Sequence, residues 1–179
     1  MSTLLDKDGV VLDASTIRFE RLLPGPIERV WAYLTESEKR RQWFAAGEYE
    51  LKKGGKANLF FQHKNISRPG TEAPEQFRKM HEEGHNWDGK ILEVDAPRLL
   101  IMTFGEHSEV TYELTEQSKG EVLLTLTHTK LTLNDMKNVG PGWHAHLAIL
   151  AGRLNDRDDV DFWALWLKMQ KHYGEMLSK

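Results

Sequence analysis

From Trp87 to Thr129 the chain reads as strands joined by connections of only a few residues, and this run constrains the fold more than any other feature. Trp87 to Val94 forms the first strand and Ala96-Pro97 closes it; Leu99 to Phe104 is nearly continuous in apolar residues, and Gly105-Glu106 turns the chain. Val110, Tyr112 and Leu114 alternate with Thr111, Glu113 and Thr115, then Ser118-Lys119-Gly120 turns again. Val122, Leu124, Leu126 and His128 share the next strand's apolar face. A parallel crossover needs about a dozen residues or more, so connections this short dictate antiparallel pairing. A sheet with one apolar face must then cover it.

The flanking segments supply strands and the cover. A strand starts at Ser15, with Ile17 and Phe19 on one face, and Pro24-Gly25-Pro26 ends it; residues 1–14 are a weak hairpin turning at Asp8-Gly9 or a loose tail. Pro26 suits the first position of a helix, and Ile27, Val30, Trp31 and Leu34 form its stripe. Thr35-Glu36-Ser37-Glu38 reads as a capping box opening a second short helix through Trp43. Glu48 to Leu51 is a short strand; Ala57, Leu59 and Phe61 alternate with Asn58, Phe60 and Gln62 after a turn at Lys53-Gly54-Gly55-Lys56. Residues 64–86 are a long polar loop with a helical turn at Glu75 to Glu82. After a loop at Asn134 to Pro141, Trp143, Leu147, Leu150 and Leu154 fall within about 40° on a helical wheel. Phe162, Trp166, Met169, Tyr173 and Met176 stripe a last helix. The class is therefore α+β: six to seven antiparallel strands, two short helices after the first strand, and a helix pair laid on the sheet. A wedge between sheet and helix is where an apolar ligand sits.

Composition excludes several functions. A net charge of −3 is too weak for nucleic acid or an anionic membrane surface, and the absence of cysteine removes disulfides, thiolate metal sites and a cysteine nucleophile. No stretch approaches the roughly 20 apolar residues that span a bilayer, and Met1 to Asp6 lacks the pattern of a secretion signal, so a cytoplasmic location is expected. No repeat or linker divides residues 1–179, which are expected to form one domain with its core at 15–177.

Ile17 to Arg21 followed by Pro26 to Thr35 resembles the opening of the family named for the activator of the heat-shock-protein-90 ATPase, within the START-like, birch-allergen-like helix-grip superfamily. The resemblance continues in Trp43-Phe44, Gly54-Gly55, Gly89 to Val94 ahead of Pro97-Arg98-Leu99, Val110 to Leu114, Leu123 to His128 and Gly142-Trp143. Residues 64–86 depart from the shared pattern and read as an insertion. The resemblance implies a helix-grip fold with an internal cavity. It implies less about activity, since relatives in the superfamily include polyketide cyclases and aromatases as well as carriers of lipids, sterols or hormones.

The expected activity is binding of a small hydrophobic or aromatic molecule, a lipid among the options, by Trp43, Phe60, Trp87, Met102, Phe104, Tyr112, His128, Trp143, His144 and Leu147. The alternatives are a cyclase- or aromatase-type enzyme using a cavity histidine paired with a carboxylate, and an interaction module with a chaperone, as in a stress response, or a second copy as partner. Trp163, off the stripe of the last helix, marks the candidate surface for that last reading. His128 ends an apolar stripe and so points inward, where it needs a hydrogen-bond partner. His144 and His146 lie about 160° apart on the wheel and cannot clamp one metal together; His144, beside Trp143, is the one expected to offer a polar group to a ligand in the wedge. His81-Glu82-Glu83-Gly84-His85 matches the zinc motif H-E-x-x-H, but Gly84 and the strand that succeeds it argue for a solvated loop, and no metal or cofactor is expected. Lys39-Arg40-Arg41 reads as a solvated helix face, and the run from Asp156 to Asp161 as helix capping.

Overall fold

The computed structural model describes residues 6–179. Seven strands, β1 (Val10–Asp13), β2 (Thr16–Pro24), β3 (Lys56–Phe61), β4 (His85–Asp95), β5 (Leu99–Phe104), β6 (Ser108–Glu116) and β7 (Glu121–Thr129), form one open sheet in the order β1-β2-β7-β6-β5-β4-β3. Every neighbouring pair is antiparallel. Register aligns the inward residues across strands: Ile17 and Val110 both lie opposite His128, and Phe19 and Tyr112 both lie opposite Leu126. A bulge between Ile91 and Glu93 interrupts the β4–β5 ladder and bends β4.

Two short helices, α1 (Ile27–Thr35) and α2 (Ser37–Arg40), carry the chain from β2 to β3. The segment between β3 and β4 forms 3-10 turns at 63–65 and 75–77 and a short helix, α3 (Arg78–Glu83). The long helix α4 (Leu133–Leu154) lies against β2 and against α5 (Phe162–Met176). Trp143, Leu147, Leu150 and Leu154 on α4, and Phe162, Trp166, Met169 and Tyr173 on α5, are buried, so both stripes do what their spacing requires. Asp161 caps α5 by accepting from the Ala164 amide. This is the helix-grip arrangement.

The differences from the sequence reading have local causes. Residues 1–5 of the N-terminal segment lie outside the described residues; of the rest, Val10–Asp13 is a strand, and the turn falls at 14–15, where the Asp13 carboxylate accepts from the amide and hydroxyl of Ser15, and not at Asp8-Gly9. Gly9 instead permits close approach, since a Cβ there would sit 2.6 Å from the Phe19 ring. No capping box opens α2: the Thr35 hydroxyl donates to the Trp31 carbonyl, and the helix ends at Arg40. Arg40 is buried, not solvated, because its guanidinium donates to the carbonyls of Thr35, Ala45 and Gly47 and lies 3.6 Å over the Tyr49 ring. Glu48 to Leu51 makes no strand, only an isolated bridge from Tyr49 to Ala57, alongside one from Ala46 to Phe60. Helix α4 begins at Leu133 and takes in the whole of the expected loop at Asn134 to Pro141, because Thr132 and Asp135 form a reciprocal capping box and Pro141 is accommodated in the helix interior.

Candidate functional site

Between α4, α5, the β3–β4 connection and the β3–β5 end of the sheet lies a cavity of about 430 Å³. The sheet contributes Phe61, Trp87 and Phe104; α4 contributes Asn138, Val139, Gly142, Trp143 and His146; α5 contributes Phe162, Trp163 and Trp166. Phe77 and Met80 close it from the 3-10 turn at 75–77 and α3, His63 from the turn after β3, and Phe44 from the loop after α2. Phe44 is the hub of the rings. It stacks on Trp143 with centroids 5.0 Å apart and planes 27° from parallel, and Phe61 and His146 meet it edge-on. Across the cavity Phe77 stacks on Trp163 and meets Trp166 edge-on.

A directed hydrogen-bond chain holds Trp143. Its Nε1–H donates to His128 Nδ1 at 2.9 Å, so the neutral ring carries its proton on Nε2, which donates to Ser108 Oγ at 2.7 Å. Ser108 Oγ in turn donates to the Phe104 carbonyl at 2.5 Å. His146 Nδ1 donates to the Trp43 carbonyl at 2.8 Å. Burial holds His128 and His146 at a pKa of about 4, and burial with His146 and His81 nearby holds His63 at about 3, so all three are neutral at pH 7. No carboxylate, lysine or arginine lines the cavity among the described residues.

Of the ten residues singled out from the sequence, Trp87, Phe104 and Trp143 line the cavity. His128 is fully buried outside the lining, bonded to Trp143 and edge-on to Phe104, which both line the cavity. Met102, Tyr112 and Leu147 are buried in the core, outside the lining. Trp43 is buried beneath Phe44, with its Nε1 donating to the Tyr33 carbonyl. Phe60 points to the opposite face of β3 from Phe61, as the period of two requires, and packs beside Gly84. His144 faces away: its Nδ1 meets the Tyr173 hydroxyl at 3.0 Å, and it is His146 that lines the cavity. Trp163 offers no outer surface, because it is buried and donates to His81 Nδ1 at 3.0 Å.

That same bond takes His81 out of the solvent, while the helix stops at Glu83, Gly84 adopts a φ of 84°, and His85 is exposed on β4. Among the described residues no group of three or more His, Cys, Asp or Glu is arranged to hold a metal ion. Phe61 was available from strand alternation, and Phe162 and Trp166 from the helical stripe. Phe77, Met80 and His63 sit in segments without a period and carried no such signal.

An open seven-stranded antiparallel sheet gripped by a long helix, with an aromatic chamber between them, defines a START-like protein of the helix-grip fold. A sequence model of the activator of Hsp90 ATPase homolog 1-like proteins matches residues 24–155. The chain belongs to that family. It is similar to a Bordetella parapertussis protein solved by solution NMR, at 40% identity and a TM-score of 0.80 over 97% of this chain and 92% of that one. CalU16 from Micromonospora echinospora is 20% identical with a TM-score of 0.64 over 96% of each chain. A conserved protein of unknown function from Enterococcus faecalis is 20% identical with a TM-score of 0.68, over 99% of this chain and 93% of that one. The last two likenesses show the fold alone. No curated protein matches the chain. No helix among the described residues is long and apolar enough to cross a membrane.

Proposed function

We propose that the chain binds a small, uncharged aromatic or apolar molecule in the cavity between α4, α5 and the sheet. One observation carries this reading: about 430 Å³ of space is lined by aromatic rings and no ionised side chain. A pocket of that size and character suits a drug-sized guest. Burial supplies about 25 cal/mol per Å² of apolar surface, against which association and ordering must be set. A cyclase-like reaction through a histidine–carboxylate pair draws no support from a lining without carboxylates. The family membership is also compatible with a chaperone partner, but the described residues offer such a partner no feature as specific as the chamber.

The test is calorimetric titration and thermal denaturation with naphthalene-sized neutral compounds. Saturable binding at one site per chain is expected, raising stability by about 2.7 kcal/mol when free ligand reaches about 100 times Kd. Failure of every such compound to bind or stabilise overturns the proposal.

A further inference from the structure

If the chamber holds a small neutral guest, as proposed above, its polar atoms narrow the identity of that guest further than its rings do. Trp143 and Trp163 have spent their N–H groups on His128 and His81, so these indoles offer the cavity only their faces. His146 differs. Its Nδ1 lies 2.8 Å from the Trp43 carbonyl, and a carbonyl only accepts, so the proton of the neutral ring is on Nδ1 and Nε2 is a bare lone pair. That nitrogen is left to the cavity, with no donor from the described residues.

His63 stands beside it, with ring centroids 5.7 Å apart. Although His63 is only 8% exposed, it has no side-chain hydrogen bond, and its Nδ1 is buried without a partner. An orphaned buried N–H is rarer than an unused acceptor, which places the ring's proton on Nε2, the nitrogen nearer open space. One wall of the chamber therefore carries an acceptor and a donor side by side; the other polar groups of the lining are the Asn138 amide on α4 and the Trp87 and Trp166 indole N–H groups.

The geometry points to a neutral aromatic ligand bearing a hydroxyl, seated so that its O–H donates to His146 Nε2 and its oxygen accepts from His63 Nε2–H. A hydroxyl is the smallest group that both donates and accepts. A ketone or ether satisfies His63 and leaves His146 unpaired. A carboxylate meets the His146 lone pair with no proton to give and finds no cation in the lining to offset its desolvation. The ring system of the guest then has the stacked Phe44 and Trp143 beside it.

The test compares 2-naphthol, 2-methoxynaphthalene and 2-naphthoate by isothermal titration calorimetry on the full chain at pH 7. 2-Naphthol is expected to bind at least about tenfold more tightly than its methyl ether, the worth of one well-made hydrogen bond, and 2-naphthoate more weakly than either. His146→Phe should bring 2-naphthol down to the affinity that the parent chain shows for the ether. Nitrogen-15 NMR of the histidine rings gives a readout that needs no variant: the His146 Nε2 resonance should move on adding 2-naphthol and stay in place with the ether. Equal affinities for 2-naphthol and the ether, or tight binding of 2-naphthoate, overturn the hydroxyl inference and leave the binding reading standing. If none of the three binds, both fall.

Discussion

Gly142 offers a way to fill the chamber from inside the helix. It lines the cavity, its φ is not left-handed, and a Cβ built there meets nothing within 4 Å. Two residues earlier Gly140 answers a different need, since a Cβ there would come within 3.1 Å of the Tyr173 ring. Gly142→Leu gains about 0.8 kcal/mol of helix propensity. Laying the new side chain against the rings adds up to about 2 kcal/mol, less where the mouth leaves it wet. The expected net gain is about 1–2 kcal/mol, which for a chain of this size raises Tm by roughly 2–8 °C. The same side chain occupies the space beside Trp143, so 2-naphthol affinity should fall more than about tenfold. Gly140→Leu, which overpacks against Tyr173, should cost about 1–3 kcal/mol instead. Scanning calorimetry and titration read both effects. A Gly142→Leu protein that is less stable than the parent, or that binds 2-naphthol as well as the parent, refutes the reasoning, because an open chamber cannot give either result.

The buried polar groups carry consequences of their own. Burial pushes the folded-state pKa of His128, His144 and His146 down to about 4 and that of His63 to about 3, so below about pH 6.5 the unfolded chain takes up protons that the folded chain refuses. Stability should be full above about pH 6.5 and fall by roughly 1.4 kcal/mol per pH unit per histidine between there and about pH 4; a flat urea midpoint from pH 7 to 5 would contradict this. His128→Leu strands the Trp143 N–H and should cost about 2 kcal/mol in urea denaturation, against a negligible cost if the chain of bonds through Ser108 is idle. Arg40→Lys should lose about 3 kcal/mol, because an ammonium lacks the fork that reaches the carbonyls of Thr35, Ala45 and Gly47; retention of parental stability would show those contacts to be dispensable. Dialysis against EDTA should leave Tm unchanged, and a drop would reinstate the His81–His85 motif as a metal site.

The sheet was legible because its signals are local. Residues of one strand face alternate, the connections are short, and Val110, Leu126 and their neighbours need no distant partner to declare which way they point. The start of α4 was equally local but masked: Gly140, Pro141 and Gly142 look like a loop, while the capping box at Thr132 and Asp135 opens the helix upstream of them. The cavity was legible only in part. Trp87, Phe104 and Trp143 lie on periodic elements, whereas Phe77 and Met80 come from the polar β3–β4 connection, where Phe77 packs on Trp163 and Trp166 of α5, far away in sequence. The choice between His144 and His146 turned on the azimuth of α4, fixed by Tyr173 on one side and the Trp43 carbonyl on the other. Neither partner is visible from a helical wheel.

The family match ends at residue 155, yet three of the rings that enclose the chamber, Phe162, Trp163 and Trp166, stand beyond it. His63 and His146 stand inside the matched span and the rings of α5 outside it, so the family match describes only part of what encloses a guest.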